Sequence, residues 1–99
     1  MEDARIKIEE VLRKIEHPEI AHTLFDLGMI DDIRIGDREL NLTLKVPMLG
    51  VPILEYLITI IKESVNKEFP DLQINIDVAQ MDAEERSKFF HMAQEAWRG

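Results

Sequence analysis

The sequence predicts an α+β domain: a small three-stranded mixed sheet covered by helices, in the order α-β-β-α-β-α. Three observations carry this reading. Residues Ile33–Ile35 and Leu40–Val46 alternate apolar and polar side chains on either side of Gly36-Asp37-Arg38, as an antiparallel hairpin does. A third alternating stretch, Leu72–Val78, follows a helix-length apolar segment, and a strand-helix-strand crossover favours parallel pairing with right-handed connection. Further amphipathic stretches at both ends complete the order and supply cover for the sheet.

Element by element, Asp3 is placed to cap a first helix whose Ala4, Ile8, Val11, Leu12 and Ile15 form one stripe. Arg13 and Lys14 suit its C-terminal end, and Pro18 stops it at about His17. Ile20, Leu24 and Leu27 have helical spacing before Gly28, so one or two helical turns are expected there. Pro47-Met48-Leu49-Gly50-Val51-Pro52 ends the second strand, and a helix is expected from near Pro52. That helix buries Leu54, Leu57, Ile58, Ile61 and Val65 until Phe69-Pro70-Asp71 breaks it. Asp82 and Glu85 have the spacing of a capping box at the start of a last helix, 82–97, with Phe89, Ala93, Ala96 and Trp97 on one side.

With 99 residues, 45% hydrophobic and 32% charged, the chain reads as one small domain, 1–99. Its net charge of −8, with no basic run, argues against nucleic acid and anionic membrane surfaces. No apolar run approaches the ~20 residues that span a bilayer, and the acidic start is unlike a signal peptide, so a cytoplasmic protein is expected. Zero cysteines exclude thiolate chemistry and Cys-ligated zinc or iron–sulfur centres. The chain lacks a phosphate-binding Gly-Lys-Ser/Thr loop, and its two serines, Ser64 and Ser87, fall within helices without a nucleophile elbow.

Three clusters merit weighing for function. His17, Glu19, His22 and Asp26 have the density of a metal site, yet the histidines lie five apart across a proline, where one-face helical ligation needs three or four. The competing reading is solvated turn residues, with Glu19 or Asp26 capping nearby amides. The acidic pairs Asp31-Asp32 and Glu84-Glu85 show no sign of the burial that separates an acid from a base, and His91 stands alone. Met48, Leu49, Val51 and Ile53 are apolar where a loop is usually polar; they either tuck onto the core or form a contact patch for a protein partner.

His17-Pro18-Glu19-Ile20, Leu27-Gly28-Met29-Ile30, a hairpin, and Leu42-Thr43-Leu44 leading to Pro47-Met48 together resemble the iron–sulfur cluster assembly domain family, which includes SufT-like and PaaD-like proteins and the N-terminal domain of Mrp-type ATPases. The resemblance covers about residues 5–79. Where the family pattern reads Asp-Pro-Glu, this chain has His17; where it reads Thr-Thr-Pro-x-Cys-Pro, it has Lys45 and Val46 for the threonines and Leu49, or Val51 after a shift, for the cysteine. The resemblance implies a scaffold with its partner surfaces but without the thiol.

The expectation is a non-catalytic adaptor in iron–sulfur cluster assembly or metalloprotein maturation, meeting a scaffold, ATPase or client protein through His17, Glu19, Asp26, Lys45, Met48, Leu49, Gly50 and Val51. No catalytic set, metal or cofactor is expected. The alternative is a small-molecule or anion binder using the 47–52 loop and the N-terminus of the second helix beside Lys45. The apolar loop and Trp97 are compatible with a homodimer.

Overall fold

The computed structural model describes residues 2–50 and 52–97. Its elements are α1 (Glu2–Lys14), β1 (Ile30–Ile35), β2 (Glu39–Val46), α2 (Leu54–Asn66), β3 (Gln73–Gln80) and α3 (Ala83–Glu95). The sheet order is β1-β2-β3, with β1 antiparallel and β3 parallel to the central β2, which is the expected mixed sheet.

Alternation along β2 divides the sheet into two faces. Leu40, Leu42, Leu44 and Val46 are fully buried, whereas Asn41, Thr43 and Lys45 point the other way and are half-buried. Against the apolar face lie Leu57, Ile61 and Val65 of α2 and Ile8 and Leu12 of α1, all part of one core. The helical stripes read from sequence therefore do meet the strand stripes.

Several boundaries differ from expectation, among them the end of α1, which stops at Lys14 rather than at about His17. α1 already includes Glu2, and the Asp3 side chain, expected as its cap, lies outside the described residues. The Glu16–Thr23 and Ile20–Trp97 bridges hold residues 20–23 out of helical geometry, and Ala21 N–H donates to the carbonyl of Ala96 at 2.8 Å. A single turn follows, closed by Leu27 N–H to Thr23 O at 3.1 Å and by Gly28 at φ 75°. Ile20, Leu24 and Leu27 are buried, and of the one or two helical turns expected a single turn forms, at 23–27. A segment this short gains little from helix formation alone, and long-range backbone partners decide its path. Arg13, stacked 5.0 Å above the Phe25 ring, pins the segment to α1.

α2 begins two residues after Pro52, with Ile53 as an N-cap that makes no side-chain cap bond. α3 ends at Glu95 because Ala96 and Trp97 turn away to meet Ala21 and Ile20. Its start is as expected: Asp82 Oδ1 accepts from Glu85 N–H at 2.8 Å, and Glu85 Oε1 accepts from Asp82 N–H at 3.0 Å. Asp82→Ala is expected to lower the unfolding free energy by about 1 kcal/mol, measured by urea denaturation.

Candidate functional site

The 47–50 loop leaves β2 at its carboxyl end. Pro47 is buried, but the chain then turns outward, leaving Met48 52% and Leu49 60% exposed. Of the two readings of these apolar residues, the exposed patch is therefore the one observed for Met48 and Leu49; Val51 lies outside the described residues. Gly50 sits at φ 78°, a left-handed conformation that a side chain would strain, and this turn carries Leu49 away from the core.

Beside the loop is an apolar cleft of about 170 Å³, walled by Met29, Val46, Pro47, Ile53, Phe89 and Trp97. Trp97 and Phe90 line it while remaining 56% and 46% exposed. Pro52 and the exposed Tyr56 adjoin it through Ile53 and Glu19, which line both depressions. The cleft and these aromatic rings form one apolar surface, which the loop reaches through Pro47. Of its aromatic members, Trp97 and Phe89 were assigned to one helix side from sequence, whereas Phe90 was not singled out: nothing in the local pattern says that α3 packs against the β2–α2 connection.

His17 forms the cleft's polar point. Contrary to the expectation of a solvated turn residue, it is buried, with 4% exposure, and meets the Phe89 ring edge-on at a centroid distance of 6.5 Å. Its Nδ1 accepts from Glu19 N–H at 3.0 Å, so the imidazole does the capping that Glu19 or Asp26 was expected to do. That bond assigns the ring proton to Nε2. Burial lowers the His17 pKa, opposed by the Glu19 carboxylate. The folded protein thus binds fewer protons than the unfolded chain between the depressed value and the ordinary one, about 6.5. Stability is expected to be complete above that value and to fall as pH drops through the window. Denaturation midpoints at pH 7.5 and 5.5 check this, with a flatter response expected for His17→Gln.

Lys45 and Asp26 do not join the cleft. Lys45 Nζ is bound to Glu85 Oε2 at 2.7 Å and Asp31 Oδ2 at 3.2 Å on the polar side of the sheet. The hydrogen bond it donates to Glu85, then that to Asp31, raises its pKa; Glu85 is lowered by Lys45 and by the Asp82 amide, and Asp31 by the Asp32 amide and then Lys45. Both carboxylates hold the Lys45 ammonium, so it is not a free cation beside helix α2. Asp26 is exposed, and its own amide donates to Thr23 Oγ1 at 3.1 Å, so Thr23 is the capping group there. His91 is an exposed partner of Glu95 at 2.8 Å.

Among the described residues no three His, Asp or Glu side chains converge to hold a metal ion, and no helix is long and apolar enough to cross a membrane. The model of the family described as iron–sulfur cluster assembly protein matches residues 5–78. The chain belongs to the iron–sulfur cluster assembly protein family. Membership indicates a role in iron–sulfur cluster assembly, a process carried out between proteins. The match ends inside β3, so α3, which supplies Phe89, Phe90 and the approach to Trp97, lies beyond the matched region. The crystal structure of a domain of unknown function, DUF59, from Bacillus anthracis shares the fold, with a TM-score of 0.70 over 93% of each chain at 17% identity. No curated protein matches the chain. The donor set here does not fit direct ligation of an iron–sulfur cluster: the chain has no cysteine, and Leu49, or Val51 after a shift, stands where the resemblance places the thiol.

Proposed function

We propose that the protein is a non-catalytic accessory of iron–sulfur cluster assembly or metalloprotein maturation in the cytoplasm, acting by contact with a scaffold, ATPase or client protein. The observation that carries this reading is the exposed pair Met48-Leu49, next to Pro47 of an apolar cleft and in the loop where the family pattern has its cysteine. A thiolate there suits transient contact with a metal or a partner thiol; an exposed leucine offers apolar area to another protein. Met48 adapts its shape to a partner, and Trp97, Phe90 and Tyr56 are the residue types that dominate contact energy. His17 Nε2–H adds one hydrogen-bond donor inside the cleft for a carbonyl or carboxylate of the partner, which fixes orientation.

The test is affinity capture from the native host with the tagged chain, followed by mass spectrometry. Recovery of cluster-assembly components or cluster-bearing clients, lost in a Met48→Asp/Leu49→Asp variant, is the expected outcome. Recovery of neither class sinks the proposal.

A further inference from the structure

The two edges of the sheet are built differently. β1, at one edge, carries a register irregularity between Asp31 and Arg34, holds Asp32 at φ 50°, and exposes Asp31, Asp32 and Arg34. Bulges and charges of this kind keep a second strand from adding to an edge. β3, at the other edge, has none of these devices. It keeps unbroken parallel register with β2 from Gln73 to Gln80, contains no proline or basic residue, and has Asp77 as its single charge.

The flanking hydrogen bonds say which of its backbone groups are free. Gln73 N–H donates to Arg38 O at 2.9 Å and Met81 N–H to Val46 O at 2.8 Å, so the odd-numbered residues turn their amides toward β2. The N–H and C=O groups of Ile74, Ile76, Val78 and Gln80 accordingly face outward, and β2 is the one strand paired with β3 among the described residues. The chain leaving β3 folds back over the rest of the sheet, where Glu85 meets Lys45 and Phe89 meets His17, so α3 does not cover this edge. Val78 remains 37% exposed.

We propose that this edge is a self-association surface, on which a second copy of this chain adds its own β3 antiparallel, about a twofold axis through Ile76. A twofold perpendicular to the sheet keeps each face on its own side, so residues that oppose one another must share parity. Near the strand's centre that leaves an axis at Ile76 or at Asp77. The Asp77 axis sets two carboxylates directly opposite each other, which is destabilising. The Ile76 axis places Ile76 opposite its twin, Val78 opposite Ile74 of the other copy, and Asp77 opposite the neutral amide of Asn75. It also makes Ile76 and the Val78–Ile74 pairs hydrogen-bonded pairs, each exchanging both backbone bonds, so the outward groups of Ile74, Ile76 and Val78 are satisfied together. Parity and hydrogen-bond phase allow both axes, charge selects the one at Ile76, and the occupant that matches it is the strand itself.

The absence of cysteine makes a register test clean, because one introduced thiol reports one position. Sedimentation velocity over a concentration series is expected to show a monomer–dimer equilibrium, lost in Val78→Lys. Under mild oxidation Ile76→Cys is expected to form a covalent dimer, whereas Ala79→Cys, whose twin is about 20 Å away in this register, is expected to remain monomeric. Val78→Lys changes an exposed side chain and carries the test if Ile76→Cys fails to fold. A chain that is monomeric at every concentration, a dimer that survives Val78→Lys, or Ala79→Cys that cross-links as readily as Ile76→Cys overturns the proposal.

Discussion

Replacing Met48 and Leu49 together by aspartate is expected to weaken capture of the assembly partner on the order of a hundredfold while leaving the denaturation midpoint unchanged. The two effects separate because both side chains are more than half exposed. An exposed position lacking a cap, ion pair or special backbone conformation shifts stability by roughly 0.5 kcal/mol or less. Binding responds differently. An apolar anchor desolvated against a partner contributes about 2 kcal/mol or more, and an uncompensated carboxylate in the same place adds a desolvation cost. Each 1.4 kcal/mol is about tenfold in affinity, so two such positions account for the loss. Titration calorimetry against the captured protein, with circular dichroism on the same sample, measures both quantities. Unchanged affinity would show that the partner docks elsewhere.

Leu42→Ala is expected to be the costliest single truncation, lowering the unfolding free energy by about 2–5 kcal/mol. Leu42 is fully buried on the central strand, flanked by Leu40 and Leu44 on the same face and covered by the helices. The deleted atoms lose their transfer free energy and leave a cavity that a strand paired on both sides cannot collapse into. Since a domain of this size has about 5–15 kcal/mol in total, the variant sits near the margin, and its melting temperature is expected to fall by at least about 10 °C. Urea denaturation with an unchanged m-value identifies the loss as one of native-state stability.

Periodicity revealed the sheet and its helices because β2 and α2 each bury one clean stripe, and a stripe is a property of neighbouring residues. The crossover helix between β2 and β3 likewise implied parallel pairing. The extended path of residues 20–23 was not legible, since it depends on Ala96 and Trp97, far along the chain. The cleft was half legible. Met48 and Leu49 stood out as apolar residues in a loop, whereas the burial of His17 requires Phe89 to arrive from α3. The ion pairs of Lys45 were not legible for the same reason: its carboxylate partners come from β1 and α3, and no spacing rule joins them.

The bridge between Ile20 and Trp97 bears on when the cleft comes into being. It joins residues that lie almost the whole described sequence apart. Closing so long a loop carries a large entropic cost, and contacts of that kind slow folding. The hairpin and the β2–α2–β3 crossover need none of the residues beyond β3, whereas the Trp97 wall of the cleft does. The scaffold can therefore form before the cleft is complete.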